Sequence, residues 1–550
     1  DNLYRLRGYM KKNSFVEGTF IATFSIILVK ILGVLYVIPF YKIIGESGGA
    51  LYSYAYNVYN LFLNISTAGI PVAISKIISE YNTLEMYEAK ERSFKLAKRI
   101  IGIIALIAFF VLFVFAKEIA VLILGDISGG NSLNDVAFVI RCVSFCLLII
   151  PFLSVTKGYL QGHKYITPSS VSQIIEQVVR IAVILMGSYI IINVLNKSVS
   201  LGVGVAVSGA FFGGVVAYIY LLVKMKKNKD EFKVSTKPDK VSDKEIIKKI
   251  LSYALPLIIV SIATDIYSLT DMTLVLKASY KLGYTGSESE LISSIISTWT
   301  PKICMIINAV AIGLSTSLIP HMVSSFVKKD MTEANKKFNQ AISIIIVSTL
   351  PLSVGIAYLS RPIYTLFYGY SLYGTLILRY TAFQALFASI YIVISMALQS
   401  LNMFKVVYKS TILGFLTNAI LDVPLMYLMK KLGTHAFYGA IIATILGYVL
   451  SYTISLSSLK KQLGFSFKGI VDTIKKSMLP ILSMTCVLIL INLFLKLNVS
   501  GSIKIFMTCL FYALVGGFVY LSISYKIGLL ESVFEKEFID KIFRKLKIRR

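Results

Sequence analysis

Two lysines lie where a charge is least at home. Lys30 falls in the middle of an apolar run from about 16 to 41, and Lys302, directly after Pro301, falls within another from about 291 to 322. A charge at the centre of a membrane-spanning helix costs about 2.5–3.5 kcal/mol on insertion scales, so each needs a partner, a water-filled cavity or a function. Two cations facing one cavity repel unless an anion comes between them, which makes an anionic head group a reasonable ligand. A second set of residues is acidic and amidic. Asp265 and Asp271 lie in the run 250–276, Asn418 and Asp422 lie four apart on one face of the run 408–429, and Thr444 lies in the run 437–458. Their hard oxygen donors suit an alkali cation, and a carboxylate in lipid can instead carry a proton; either chemistry couples transport to an ion gradient. The alternative for this set is a polar contact between helices. Glu176 and Arg180, also four apart, are expected to neutralise each other across one helix face.

The elements that must hold these groups are helices in a membrane. Of 550 residues 56% are hydrophobic and only 15% charged, against roughly 25% charged in a soluble domain. Fourteen apolar stretches, each near the 20 residues a spanning helix needs, run at about 16–41, 50–79, 100–116, 135–158, 168–194, 200–223, 250–276, 291–322, 339–359, 372–398, 408–429, 437–458, 477–495 and 505–525. None shows the alternation of a barrel strand, so the fold class is an all-α polytopic membrane protein. The five cysteines all sit in apolar segments, and His163, His321 and His435 are scattered without zinc-ligand spacing, so a metal enzyme is not expected and no cofactor is called for.

The net charge of +28 is first a topology signal. With the N-terminus inside, alternate connections hold 39 Lys and Arg on the cytoplasmic side and 10 outside, and seven lie within spans. Both termini are therefore expected in the cytoplasm of a multi-pass protein, with the basic surplus facing lipid head groups and no nucleic acid needed. The stretch 80–99, with four glutamates among basic residues, reads as an amphipathic helix lying on the membrane. The longest basic connection, 224–249, divides two halves that resemble each other: Ser66–Pro71 recurs at Ser315–Pro320, and Arg141 followed by Leu160–Gln161 recurs as Arg379 followed by Leu398–Gln399. A repeat displaced by six spans points both halves the same way across the membrane. The expected organisation is an N-terminal lobe (1–223), a linker (224–249), a C-terminal lobe (250–458) and an added pair of spans with a basic tail (459–550), with substrate between two pseudo-symmetric six-helix lobes.

Lys30 to Tyr81 (KILGVLYVIPFYKIIGESGGALYSYAYNVYNLFLNISTAGIPVAISKIISEY) and Gly158 to Arg180 (GYLQGHKYITPSSVSQIIEQVVR) resemble the MurJ-type lipid II flippases of Gram-positive bacteria, with their stage V sporulation protein B and polysaccharide-exporter relatives, in the multidrug, oligosaccharidyl-lipid and polysaccharide exporter superfamily. The resemblance implies a monomeric transporter of the cytoplasmic membrane that moves undecaprenyl-diphosphate-linked cell-wall precursor from inner to outer leaflet by alternating access, alongside cell-wall synthesis proteins. It also implies that Lys30 and Lys302 meet the diphosphate. The second basic position of span one is Tyr36 here and that of span two falls at Leu63 or Asn64, so a full basic triad is absent and another lipid-linked glycan is the alternative substrate. A sodium site of the family's pattern maps to Asn418, Asp422 and Thr444, with Asp265 or else Asp271 from span seven. A multidrug cation antiporter of the same superfamily is a further alternative, although it calls for acidic cavity residues. A glycan polymerase lacks a plausible catalytic set in the short outer loops, and a non-transporting scaffold has no need of buried charges.

Overall fold

A computed structural model describes residues 12–67, 69–228, 232, 241–495 and 501–534. The centre of the 224–249 linker and the basic tail beyond 534 lie outside the described residues. Among the described residues there is no strand, and thirteen helices are long and apolar enough to span a membrane, which bears out the all-α polytopic expectation. The first expected span is not among the thirteen, its apolar helical stretch being the shorter Phe24–Leu35. It comprises α1 (Phe15–Leu35) and the start of α2 (Val37–Thr67), which breaks at Gly45. There φ is +66°, a conformation that glycine adopts without a Cβ clash, and the chain turns from span one into span two. Ser14 opens α1 with a capping box to Glu17.

The chain groups by internal contact into two units, one reaching Tyr280 and including Tyr284–Ser294, the other comprising Lys281–Gly283 and everything from Ile295 onward. In the first unit α3 (Ile70–Thr83), α4 (Tyr87–Val114), α5 (Ala116–Leu124), α6 (Leu133–Ser144), α7 (Ile150–Gly162), α8 (Ile166–Ala182), α9 (Val199–Val207) and α10 (Gly209–Lys227) follow, then α11 (Asp243–Lys281) and α12 (Gly286–Ser294). Helix α11, at which the C-terminal lobe was expected to begin, packs instead within this unit: Ile246, Ile250 and Ala254 share a buried cluster with Ile74, Ile77 and Ile78 of α3. Lys249 pairs with Glu80 at 2.6 Å.

The stretch 80–99 does not lie on the membrane as a separate helix. The chain bends between α3 and α4, and Ala89, Ser93 and Ala97 are buried in the first turns of α4. The charged side chains that gave the segment its amphipathic look are used for packing and pairing, as Arg92 shows by reaching Asp243 at 3.2 Å.

In the second unit α13 (Thr300–Val327), α14 (Met331–Tyr358), α15 (Ser360–Tyr368), α16 (Leu372–Ser400), α17 (Phe404–Lys431) and α18 (Phe437–Leu463) are followed by α19 (Lys468–Phe494), α20 (Ser502–Lys526) and the short α21 (Leu529–Val533). The added pair is anchored by hydroxyls as well as apolar contact. Tyr520 donates to the Val347 carbonyl at 2.9 Å and Tyr358 to that of Leu488 at 3.0 Å, each satisfying a group that hydrocarbon would leave unpaired. Ile103, Leu122, Leu493, Phe494 and Leu514 are exposed on helix flanks, an anomaly in water and the expected surface in lipid.

His163, at the end of α7 and outside the spans, is 5% exposed. Its Nδ1–H donates to the Tyr159 carbonyl at 2.9 Å, and burial pushes the imidazole down to about 4. Because the folded value lies below the usual one near 6.5, stability is full above that pH and falls as pH drops towards 4, by up to about 3 kcal/mol. Detergent-solubilised protein is expected to melt earlier at pH 5 than at pH 7.5, and His163→Phe to flatten that slope. An unchanged slope in the variant would assign the acid sensitivity elsewhere.

Candidate functional site

The candidate residues divide between the two units, and each set is built by its own helices. In the first unit, Lys30 is half-buried on α1. The expected cavity residue Tyr36 caps the C-terminus of α1, its hydroxyl 3.2 Å from that of Tyr52, and Tyr52 stacks on Tyr56 with ring centroids 5.7 Å apart. Asn64, the other expected cavity residue, donates from Nδ2 to Asp265 Oδ2 at 2.7 Å. This contact belongs to a polar seam between α2 and α11, continued by Ser268 donating to Asn57 at 3.1 Å. Asp271 is also buried, at 6% exposure. Asp265 is thus held by an amide from span two, a pairing that the sequence spacing of 201 residues did not reveal.

The expected Glu176–Arg180 pair is not the short contact. Glu176 on α8 accepts from Lys157 of α7 at 2.8 Å, with both side chains less than a fifth exposed, and Arg180 lies within electrostatic reach of Glu176, Tyr52 and Tyr59. Arg180 is shared electrostatically between Tyr59, Glu176 and Tyr52, which leaves Lys157 of the neighbouring helix to make the close contact. Lys157 was missed because it sits among apolar residues nineteen positions before its partner. Glu290 on α12 was missed as well. It is 3% exposed and accepts from the backbone N–H of Asn131 at 3.0 Å and from its Nδ2 at 2.6 Å, although the sequence alone leaves it just outside a span.

In the second unit, Lys302 sits in the first turn of α13, its ammonium 5.2 Å from the centroid of the Trp299 ring. Immediately before α13 and its Pro301 the chain makes a π-helical turn, Ile295–Trp299. Proline lacks an N–H and so breaks the hydrogen-bond ladder. Here the Thr300 hydroxyl donates to the Ile295 carbonyl at 2.9 Å, and Trp299 is fixed by Tyr368, whose hydroxyl donates to the Trp299 carbonyl at 2.8 Å.

Asn418, Asp422 and Thr444 are brought together on α17 and α18, all at most 1% exposed. Asn418 Nδ2 donates to Thr444 Oγ1 at 2.9 Å and more weakly to Asp422 Oδ1 at 3.3 Å. The helices can approach this closely because of Gly414, where a Cβ would lie 2.1 Å from Ser451 Oγ and 2.8 Å from the Gly447 carbonyl. Asn418 Oδ1 is buried with no hydrogen-bond partner among the described residues. An orphan amide oxygen beside a carboxylate and a hydroxyl is the donor set of a hard monovalent cation, so these three residues fit the sodium expectation.

A family model described as "Polysaccharide biosynthesis protein" matches residues 15–312. The chain is 33% identical over 547 residues to lipid II flippase MurJ of Bacillus subtilis (strain 168), covering 97% of this chain and 99% of that protein. This chain belongs to the MurJ family. Among solved structures, lipid II flippase MurJ in its inward closed conformation matches with a TM-score of 0.65 at 18% identity, over 92% of this chain and 99% of that one. An inward-facing multidrug resistance MATE family transporter of the MOP superfamily matches with a TM-score of 0.61 at 17% identity, over 79% and 95%. The resemblance read from 30–81 and 158–180 therefore extends along the whole MurJ-type chain, and the shared fold reaches the MATE transporters.

Proposed function

We propose that this protein translocates lipid II, the undecaprenyl-diphosphate-linked peptidoglycan precursor, from the inner to the outer leaflet of the cytoplasmic membrane by alternating access and without covalent chemistry. The observation that carries the reading is the end-to-end match to a lipid II flippase. The intramembrane cations support it, since Lys30 and Lys302 are each suited to an anionic head group, whereas a pump for cationic drugs calls for the reverse. In this reading the protein works as a monomer with both termini cytoplasmic, and a change between two conformations alternates the exposure of the substrate-binding groups. The test is a depletion-rescue assay with leaflet-specific detection of lipid II. Rescue with lipid II reaching the outer leaflet is expected; growth without outward lipid II would redirect the assignment to another lipid-linked glycan.

Coupling to sodium is part of the proposal. Asn418, Asp422 and Thr444, which meet within the second unit, would hold the ion. The bound ion would supply a charge whose loading favours one conformation over the other. At ten times its Kd a ligand specific for the folded state stabilises it by about 1.4 kcal/mol. Purified protein is therefore expected to melt higher in sodium chloride than in potassium chloride at equal ionic strength, with the difference lost in Asn418→Ala and Asp422→Asn. Identical melting in both salts would remove sodium from the mechanism.

A further inference from the structure

The N-terminal parts of α14 and α19, together with α21, line an open pocket of about 700 Å3 within the second unit, and nothing in the transport reading uses it. Its walls carry four lysines, Lys336 and Lys337 from α14 and Lys468 and Lys476 from α19, against two carboxylates, Asp472 and Glu531. Glu333 approaches Lys336 and Lys337 only at 3.9 and 3.7 Å, distances at which a solvated pair contributes little. The rim is thus an excess of ammonium groups.

The floor distinguishes the cavity from an ordinary solvated lysine cluster. Asn339 donates from Nδ2 to the Ser466 carbonyl at 2.7 Å, tying α14 to the start of α19. Thr473 donates to Ser343 at 2.9 Å, and Gln340 to the Val533 carbonyl of α21 at 2.9 Å. Phe338 packs behind this network against Phe465 and Phe467, with ring centroids 5.8 and 6.1 Å apart. Three helix ends from distant parts of the chain are therefore stitched into a formed concavity. In its wall, Asn339 Oδ1 is buried with no hydrogen-bond partner among the described residues. Ammonium groups call for an anion and an orphan acceptor calls for an O–H donor. A phosphate ester that also carries a free hydroxyl supplies both.

We propose that this cavity binds a phosphodiester head group bearing a hydroxyl, as an anionic glycerophospholipid presents at a membrane surface. Basic pockets between transmembrane helices bind anionic head groups in this way. The depth is suitable: both helices leave their apolar stretches here for the lysine-rich segments 328–337 and 460–476, which the charge count assigns to the cytoplasmic side. The position gives the ligand a role. Spans thirteen and fourteen lie beyond the internal repeat, and a head group seated between α14, α19 and α21 fastens that added pair to the body of its unit.

The test uses full-length protein in neutral detergent, with thermal unfolding and native mass spectrometry as readouts. The probes are dioctanoyl phosphatidylglycerol, dioctanoyl phosphatidylcholine, dioctanoyl phosphatidylmethanol (which lacks the free hydroxyl) and glycerol 3-phosphate at matched ionic strength. Phosphatidylglycerol is expected to bind and stabilise, phosphatidylmethanol less and phosphatidylcholine not at all. The triple variant Lys337→Gln, Lys468→Gln, Lys476→Gln is expected to weaken phosphatidylglycerol by roughly a hundredfold, about fivefold per lysine. Lys468 and Lys476 are exposed and Lys337 nearly so, so unchanged melting of the lipid-free variant shows that it is folded. Glycerol 3-phosphate binding as tightly, and lost in the same variant, keeps the site and assigns it to a soluble phosphate ester. Equal binding of phosphatidylcholine, no binding of either phosphate ester, or affinity that survives the triple substitution overturns the proposal. None of these readouts depends on transport, so failure of the flippase reading would leave them intact.

Discussion

Lys30→Ala and Lys302→Ala are each expected to lower outward movement of lipid II by about ten- to a hundredfold in the depletion-rescue assay, with Lys→Arg at either position retaining most of it. The magnitude is that of one hydrogen bond to a charged group, about 1.5–3 kcal/mol, and the retention by arginine follows from the guanidinium's ability to hold a phosphate. Stability should move the other way from transport at Lys30. This lysine is half-buried on a helix of otherwise apolar character, and an intramembrane cation is costly, so Lys30→Met is expected to melt no lower than the parent while transporting poorly. That split identifies a residue kept for function rather than for folding. Full transport by both alanine variants would discard the two-lysine diphosphate contact.

The second large effect concerns Glu176. Replacing it by leucine removes the carboxylate facing Lys157 at 2.8 Å and within electrostatic reach of Arg180, which leaves two neighbouring cations in a membrane helix pair. The expected cost is about 2–4 kcal/mol, just under the range for breaking a fully buried pair because a sixth or so of each side chain remains exposed. Lys157→Met is expected to cost less, roughly 1–2 kcal/mol, since Arg180 remains as a counter-ion for Glu176. The double variant should fall short of the sum of the two. Denaturation in detergent reads the order directly, and a larger loss for Lys157→Met than for Glu176→Leu would show that Arg180 does not serve this carboxylate.

The sequence by itself determined what depends on local composition. Fourteen apolar runs of about the right length admit only helices, because every backbone polar group in hydrocarbon must be satisfied within its own segment. Asn418 and Asp422 share a helix face by their spacing of four, and the family resemblance was carried by contiguous residues around Lys30 and from Gly158 to Arg180. The break at Gly45 and the reworked turn before Pro301 lay at residues whose backbone chemistry marks them, although only the folded structure gave their form. What tertiary structure decided was which polar groups meet. Glu176 turned from Arg180 to Lys157, Asn64 found Asp265, Glu290 proved to be buried, and 80–99 was absorbed into packed helix ends. The lysines of the second unit's cavity became neighbours only when segments more than a hundred residues apart folded together. The physical reason is common to all of these. Hydropathy and helical period reveal that a helix forms, but its rotation and depth against its neighbours are set by non-local close approaches such as that at Gly414, and a rotation of one residue position redirects a side chain by about 100°.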